Sequence, residues 1–251
     1  MIDNVFSLLK FMICLKIVLW CALTYAQSGV VVLNKGLPGN ATSDLLIRVD
    51  QDVLKDPPNI CVILVGTNDL LNTSKMVTLS EYTSTLSTVI ERVIRVGIKP
   101  VLISPPPVDT VFLFQRHNRF KYSKSPNQLL EMASDSIAAM CDLKNIPFID
   151  LFAKLRNGHI PDHNRDTIIQ NEWNMQVPDG VHFTAEGNEL LAELVMDRLV
   201  EWKYLSSSVR IVCFGDSLTY GSRMNGAGTS SGNTYPAYLK DQINDWVNEN
   251  K

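Results

Sequence analysis

The apolar positions after residue 28 fall into two kinds of run that alternate along the chain. Short runs rich in branched aliphatic residues, without polar alternation, are typical of strands buried on both faces of a parallel sheet. They are Val30–Leu33, Ile60–Val65, Pro100–Ile103, Pro147–Ile149 and Ile211–Phe214. Longer runs place apolar residues on one face of a helix. They are Leu79–Val96, Asn127–Leu143, Thr184–Leu205 and Tyr235–Val247.

The ends and the order of these runs predict a fold class. Ser80 with Glu81 marks the start of the first helix, Gly97 its end, and Pro236 lies near the start of the last helix. Strands separated by helices require parallel crossover connections. We therefore expect an α/β fold, a three-layer α/β/α sandwich with a five-stranded parallel sheet, forming a single domain over residues 28–251.

Two polar segments are longer than ordinary connections and are expected to be loops, Pro105–Pro126 and Arg156–Pro178. Loops of this length often border active sites. The first contains His117, for which a solvated position is favoured over contact with substrate. It also contains three phenylalanines that either line an acyl pocket or, as we favour, pack the loop onto the body: Phe112, Phe114 and Phe120.

Charge and cysteine usage exclude several classes of protein. The 251 residues carry a net charge of −3 and no block of basic residues, so neither nucleic acid nor an anionic membrane is an expected partner. Cys61 and Cys213 lie in strand-like runs, where a free cysteine behaves as a small hydrophobic residue.

His159 and His163 are four residues apart, but Pro161 disfavours a helix that would present both to a metal. No metal or cofactor is expected.

Residues 1–27 differ in character from the rest of the chain. An apolar stretch from Phe11 to Ala26 follows Lys10 and ends in small residues, which is typical of a secretory signal peptide and predicts a secreted protein. Asp3 and Lys16 weaken this interpretation. A membrane anchor and an ordinary packed helix in an intracellular protein stay open, although the apolar part after Lys16 is short for a bilayer span.

Candidate catalytic residues follow the predicted strands. Ser217, in Gly215-Asp216-Ser217-Leu218-Thr219, comes after the last strand-like run, Gly39 after the first and Asn68 after the second. Asp179 and His182 precede a long helix. Because ligands bind at the carboxyl ends of strands in an open parallel sheet, we expect these residues to converge at one edge.

Each residue type has a use in acyl transfer. A serine hydroxyl needs a base to remove its proton, and His182 supplies one. Asp179, three residues earlier, can fix the imidazole tautomer. The backbone N–H groups of Ser217 and Gly39 and the amide of Asn68 could stabilise an oxyanion. Alone, each motif is also compatible with a turn, a helix cap or a solvated loop.

Four blocks together resemble the SGNH (GDSL-type) hydrolase family of serine esterases and lipases. The blocks are Gly215–Thr219, Asn34–Gly39, Gly66–Asp69 and Asp179–Thr184. The resemblance implies a flavodoxin-like strand order, Ser217 as nucleophile, His182 as base, Asp179 as its partner, and Gly39 and Asn68 in the oxyanion hole. It also implies an acyl-enzyme formed from short-chain, acetyl-sugar or lysophospholipid-type esters, without metal or organic cofactor. Asp69 and Asp216 are expected to bond neighbouring loops instead of replacing Asp179.

The order of the blocks departs from that family, in which the serine block comes first. Joining Lys251 to Ser28 would restore the usual order, so the sequence resembles a circular permutation. It predicts that Ile211–Phe214 lies between Val30–Leu33 and Ile60–Val65. A non-catalytic ligand-binding module that kept the fold, and a site completed by domain swapping, are the alternatives. The oligomeric state is not predicted.

Two N-glycosylation patterns occur, at Asn40 and at Asn72. A glycan on Asn40 would obstruct the predicted oxyanion loop. Asn72 is therefore the expected acceptor if the chain enters a eukaryotic secretory pathway.

Overall fold

The computed structural model describes residues 29–250, so the predicted signal peptide over residues 1–27 lies outside the described part of the chain. Five parallel strands form one sheet in the order β1-β5-β2-β3-β4. They are β1 Val30–Gly36, β2 Ile60–Leu64, β3 Lys99–Ile103, β4 Phe148–Ile149 and β5 Val209–Gly215. The predicted five-stranded parallel sheet is confirmed. Its order is also flavodoxin-like, because counting β5 as the first strand gives the order 2-1-3-4-5.

The last strand in the sequence lies inside the sheet, as predicted. Ile211 on β5 is opposite Val32 on β1 on one side and Ile60 on β2 on the other. Residues Ile211 to Gly215 of β5 are all buried, in keeping with a strand covered on both faces and paired on both edges. The segment that ends at Ser217 is therefore anchored by the centre of the fold.

Helices connect the strands and continue past the last one. In chain order they are α1 Thr42–Val49, α2 Thr67–Leu71, α3 Leu79–Arg95, α4 Thr110–Arg116, α5 Pro126–Lys144, α6 Leu151–Asn157, α7 Glu172–Met175, α8 Ala185–Glu201, α9 Ser217–Tyr220 and α10 Tyr235–Glu249. Among residues 29–250, no helix combines the length and the apolar character needed to cross a membrane.

Alternate side chains of the strands feed two separate apolar cores. Cys61 and Ile63 of β2 belong to a cluster with residues of α1, α3 and α5. Ile60 and Val62 belong to a second cluster with residues of α8 and α10. Since successive residues of a strand point to opposite faces, the two clusters lie on opposite sides of the sheet and define the three layers.

Several boundaries differ from the sequence prediction. The π-helical turn Asp50–Leu54 extends α1, and neither element was predicted, although Leu45, Val49 and Val53 are buried at a spacing of four. The expected loop Pro105–Pro126 contains α4 and a 3₁₀ turn, and Arg156–Pro178 contains α7. These helices have seven residues or fewer, too short for a clear periodic pattern.

The first turn of α3 shows how a local hydrogen-bond pattern sets a helix boundary. The Thr78 hydroxyl accepts from the N–H of Glu81, and the Glu81 carboxylate accepts from the N–H of Thr78. This reciprocal capping box starts the helix at Leu79, where the predicted run begins, with Thr78 as the N-cap two residues before Ser80. Gly97, with φ of +82°, follows the helix end as predicted.

Candidate active site

Ser217 is the first residue of α9, directly beyond β5, an interior strand of the sheet. The Asp216 carboxylate accepts from the N–H of Leu218 at 2.9 Å and caps this short helix. Gly36 of β1 lies opposite Gly215, and a Cβ on Gly36 would stand 2.1 Å from the backbone nitrogen of Tyr220. A glycine at this point lets the end of β1 pack directly against the helix that presents Ser217.

Asp179 and His182 form a compact turn in front of α8. The Asp179 carboxylate accepts from the backbone N–H groups of Val181 at 2.9 Å and His182 at 2.7 Å. Its Oδ2 lies 2.9 Å from Nδ1 of His182, and Nε2 of the same ring lies 3.0 Å from Oγ of Ser217. The structure thus brings the three residues into one continuous hydrogen-bonded chain.

Asp179 is a buried carboxylate with several donors. Burial acts to raise its pKa, but the hydrogen bond and charge of His182 and the N–H groups of the turn outweigh burial and hold the pKa well below its usual range. Arg223 also donates to Oδ2 of Asp179 and, at 3.3 Å, to Gln170. Asp179 is therefore ionised throughout the neutral range and can stabilise a protonated imidazole.

Three donors lie around the same opening. Ser217, Gly39 and Asn68 all line the pocket. Gly39 has φ of +78°, and within residues 29–250 its backbone N–H and that of Ser217 have no hydrogen-bond partner. The Asn68 side-chain amide donates to the carbonyl of Asn40 at 3.0 Å, which fixes its orientation and leaves its second N–H available.

The pocket itself has a volume of about 450 Å³. Leu71, Leu113 and Val181 form the apolar part of its wall, while His182 and Ser217 lie in the polar part. Asp179 does not line it, because this residue is buried behind His182. A small ester could therefore contact the hydroxyl and the three donors at once.

The residues of the predicted aromatic loop are placed differently from one another. Phe112 is buried and packs on the ring of His163, whereas Phe120 is 87% exposed. None of the three phenylalanines lines the pocket. The packing role that we favoured holds for buried Phe112 and is wrong for Phe120. His117 does line the pocket and is half-buried, a position from which it could contact a substrate. Burial, and then the charge of Arg116, lowers the pKa of His117.

Asn72 also lies in the pocket wall, where its amide is 3.4 Å from the side-chain oxygen of Asn68. A glycan on Asn72 would obstruct the opening as much as one on Asn40. The preference for Asn72 as acceptor therefore has no steric basis.

Asp69 and Asp216 are held in the interior, away from His182 Nδ1. Asp69 accepts from the N–H and the hydroxyl of Thr42, as expected of a residue that joins neighbouring loops. Burial raises the pKa of Asp216 to about 7, and its Oδ2 has no partner among residues 29–250. Asp216 is thus a buried carboxyl group whose pKa lies near neutral pH, and it adjoins the candidate nucleophile.

The pair His159 and His163 does not form a metal centre within residues 29–250, where no group of three or more candidate ligands occurs. His163 Nδ1 lies instead 2.6 Å from Oδ2 of Asp109. Asp109 also donates its backbone N–H to the carbonyl of Gly180. This contact supports the turn that carries Asp179 and His182.

Sequence reasoning missed two arginines of the pocket wall. Arg223 lies in the segment between α9 and α10, and Arg116 is the last residue of α4. Arg116 donates to the carbonyls of Pro178 at 2.8 Å and Asp179 at 2.6 Å. Neither belongs to a recognisable motif, so only the three-dimensional arrangement connects them with Asp179.

Comparison with known proteins assigns the family. The model described as GDSL-like Lipase/Acylhydrolase matches residues 20–195, more than half of the chain. The match ends before Ser217. The uncharacterized lipoprotein YqeF of Bacillus subtilis (strain 168) is 25% identical over 190 residues, covering 69% of this chain and 75% of that protein.

Acetylxylan esterases are also similar. One from Geobacillus stearothermophilus is 34% identical over 73 residues, which cover 26% of this chain and 33% of that enzyme. A solved acetylxylan esterase from that organism shares the fold, with a TM-score of 0.51 and 19% identity, over 64% of this chain and 68% of the other. It has been solved as catalytic mutants of a serine, an aspartate and a histidine. The present chain belongs to the GDSL-like lipase/acylhydrolase family and is a carboxylic ester hydrolase.

Proposed function

We propose that the chain hydrolyses carboxylic esters through an acyl-enzyme on Ser217. The observation that carries the proposal is the chain of contacts from Ser217 Oγ to His182 Nε2 at 3.0 Å and from His182 Nδ1 to Asp179 at 2.9 Å. At 3.0 Å His182 can accept the Ser217 proton, while Asp179 fixes the orientation of the imidazole.

In the proposed reaction, His182 removes the Ser217 proton as Oγ attacks the ester carbonyl. The N–H groups of Ser217 and Gly39 and the amide of Asn68 donate to the oxyanion. The imidazolium is stabilised by ionised Asp179 and gives its proton to the leaving alcohol. Water, activated by His182, then attacks the acyl-enzyme and releases the carboxylic acid with Ser217 restored.

We propose short acyl groups as the preferred acids, because a pocket of about 450 Å³ must hold part of the alcohol as well. The acetylxylan esterases among the similar proteins support an acetylated sugar over a lysophospholipid. No nucleic acid or stable membrane partner is proposed.

The direct test is hydrolysis of 4-nitrophenyl acetate by the parent chain and by Ser217→Ala. We expect the variant to lose at least about 10³-fold in kcat. Reaction with a fluorophosphonate probe should label Ser217 in the parent and leave Ser217→Ala unlabelled. Equal rates in the two folded proteins would overturn the proposal.

A non-catalytic ligand-binding module is the second candidate that the sequence left open. It predicts a folded protein that binds esters without labelling Ser217. The free N–H groups of Gly39 and Ser217, both beside a hydroxyl in contact with an imidazole, favour catalysis instead.

We also propose that the chain is a circular permutation within its family. The serine of the solved acetylxylan esterase precedes its aspartate and histidine, which are three positions apart, whereas Ser217 follows Asp179 and His182. The family match over residues 20–195 covers the blocks that keep their usual order. The central position of β5 is the position that a permuted first strand requires.

Residues 28–251 are proposed as the single catalytic domain, and residues 1–27 as a signal peptide for export. The similar Bacillus subtilis protein is described as a lipoprotein, which supports export. A chain starting at Ser28 should then be active without the leader, and mass spectrometry of protein from the medium should find residues 1–27 removed.

A further inference from the structure

Positive charge is concentrated at the opening of the proposed active site. The pocket wall includes the guanidinium groups of Arg116 and Arg223, but no carboxylate side chain. The whole chain, by contrast, has a net charge of −3. The basic character of the pocket is therefore local and opposite in sign to the molecule.

Arg116 contributes a charge that no acidic group offsets. Its guanidinium donates to the backbone carbonyls of Pro178 and Asp179, and it forms no ion pair within residues 29–250. Two of its five N–H donors are occupied, which leaves three for a ligand. A guanidinium held in place by neutral carbonyls is a rigid binding site for an anionic oxygen group.

Arg223 is in a different electrostatic position. It is paired with Asp179, so its charge is largely compensated, but its Nε and Nη2 have no partner within the described chain. Its side chain is 48% exposed and lines the pocket. It can therefore add directed donors beside the uncompensated charge of Arg116.

Of the carboxyl groups near the pocket, ionised Asp179 is paired with Arg223, and the two others are buried. Asp216 is fully buried, and burial raises its pKa to about 7. Burial also raises the pKa of Asp69. The shift of Asp216 reduces the negative charge close to the pocket.

The segment that follows α4 extends the basic surface along one edge. Arg119, Lys121 and Lys124 are exposed, and none of them forms an ion pair within residues 29–250. Lys121 donates to the carbonyl of Thr73 at 3.2 Å, which holds this segment next to Asn72 of the pocket wall. Exposed cations beside an opening attract anions at low ionic strength.

The position of the arginines within the pocket indicates which part of an ester would meet them. Both contact Asp179, Arg116 at its carbonyl and Arg223 at its carboxylate, and therefore lie on the side of His182. In the proposed reaction His182 protonates the leaving alcohol, so the alcohol occupies this side. The carbonyl oxygen lies toward the oxyanion donors, and the acyl chain takes the remaining direction at the carbonyl carbon.

We propose that the natural substrate is an acyl ester of an anionic alcohol, one that carries a carboxylate or a similar anionic oxygen group within reach of Arg116 and Arg223. The inference rests on the proposed hydrolysis through Ser217 and narrows its substrate class. A sugar acid with an acylated hydroxyl is one compound of this chemistry.

The experiment compares two matched pairs of esters. In the alcohol pair, 4-nitrophenyl acetate is compared with 3-carboxy-4-nitrophenyl acetate. In the acyl pair, 4-nitrophenyl hexanoate is compared with mono-4-nitrophenyl adipate, whose carboxylate is too far along the chain to attack its own ester efficiently. Each kcat/KM is divided by the rate constant of hydroxide-catalysed hydrolysis of the same ester, which removes differences in intrinsic reactivity.

We expect the carboxylated member of the alcohol pair to be favoured at least about fivefold at about 20 mM salt, and the preference to shrink toward unity at about 0.5 M salt. Arg116→Gln should reduce the preference about threefold or more, and Arg116→Lys should retain most of it. Lys55→Gln is the matched control, because it removes the same charge from a surface away from the pocket and should leave the preference unchanged.

The ratio is measured within each protein, so a general loss of activity in Arg116→Gln does not affect it. The salt series on the parent chain needs no variant. Hydrolysis that depends on Ser217 but shows no preference for the anionic alcohol at low salt would overturn this inference alone. A preference confined to the acyl pair would overturn the assignment to the alcohol. Absence of Ser217-dependent hydrolysis of all four esters would overturn the proposed function itself.

Discussion

Arg223 donates to the same carboxylate oxygen of Asp179 that lies 2.9 Å from the imidazole of His182. Arg223 is 44 residues from Asp179 in the sequence, yet only six residues after Ser217. The ion pair therefore ties the segment that carries Ser217 to the turn that carries His182. It also sets a fixed positive charge beside the imidazole.

The first prediction concerns the pH dependence of hydrolysis in Arg223→Met. Removing the cation favours the protonated, inactive form of His182, so the acid limb of the kcat/KM profile for 4-nitrophenyl acetate should move to higher pH by about 0.5–1 unit. Rates at high pH should change much less. Stopped-flow measurement between pH 5 and pH 9 checks this.

Arg223→Lys is the matched control, since it keeps the charge while losing the planar guanidinium. It should keep the acid limb near the parent position. If Arg223→Met loses activity equally at every pH, the arginine has a purely structural role and the electrostatic explanation is wrong.

The second prediction concerns Asp179→Asn. An amide at this position can accept from only one side and presents an N–H to the imidazole, which favours the wrong tautomer. It also leaves Arg223 without its anionic partner. We expect kcat for 4-nitrophenyl acetate to fall about 10³–10⁴-fold, with circular dichroism spectra and denaturant midpoint showing that the fold persists. A fall of less than tenfold would show that Asp179 does not orient His182.

The third prediction concerns Asp216, whose carboxyl group is buried beside Ser217. Its pKa is about 7 in the folded chain and about 4 in the unfolded chain. Between these values the unfolded chain binds fewer protons, so the free energy of unfolding contributed by Asp216 falls as the pH rises from about 4 to about 7. The whole effect is on the order of 4 kcal/mol.

Asp216→Asn keeps an oxygen for the N–H of Leu218 but cannot ionise. The variant and the parent should have similar unfolding free energies at pH 4.5, and the variant should become the more stable one above pH 7. Urea unfolding at both pH values provides the comparison, and the other titrating groups cancel because both proteins share them. A constant difference across this range would contradict the raised pKa.

The sequence predicted which residues would meet at the candidate site better than it predicted which residues would surround them. Ser217, His182, Gly39 and Asn68 could be placed at one edge because each lies beside a predicted element, and Asp179 because it lies three residues from His182. The five strands could be predicted because buried parallel strands are uniformly apolar. Both sources of information are local in the sequence.

Arg116 and Arg223 could not be found in this way. Each binds Asp179 across a long separation in the chain, and a surface arginine carries no periodic signal. Gly36, which closes β1 against the helix that carries Ser217, could not be found in this way either. Its role depends on the approach of Tyr220, which is 184 residues away.

The fourth prediction uses this glycine. In Gly36→Ala the new Cβ would lie 2.1 Å from the backbone nitrogen of Tyr220, which cannot move without displacing Ser217. We expect a loss of about 3 kcal/mol in the free energy of unfolding, together with reduced kcat. Gly39→Ala is the contrast, because its Cβ meets nothing within 4 Å and only the positive φ opposes it, at about 1 kcal/mol. Denaturant unfolding of both variants should rank them in this order. The reverse order would mean that β1 and α9 do not pack as closely as described.

The fifth prediction tests the proposed circular permutation by restoring the usual order of the blocks. Residues 206–208 form an exposed serine segment between α8 and β5, so a new chain start there breaks no strand or helix. The last turn of α10, at Val247, and the first residue of β1, Val30, belong to the same apolar cluster, which favours joining the present ends through a short Gly/Ser linker. A chain that starts at Ser207 and ends at Ser206 would have the serine block first. It should fold cooperatively and keep Ser217-dependent hydrolysis within about threefold of the parent.

A control chain opened between Val62 and Ile63, inside β2, should not fold, because the cut interrupts a strand paired on both sides. Failure of the chain opened at Ser206, with linkers of two lengths, would mean that the present connection between α8 and β5 is required and that the permuted and usual orders are not interchangeable.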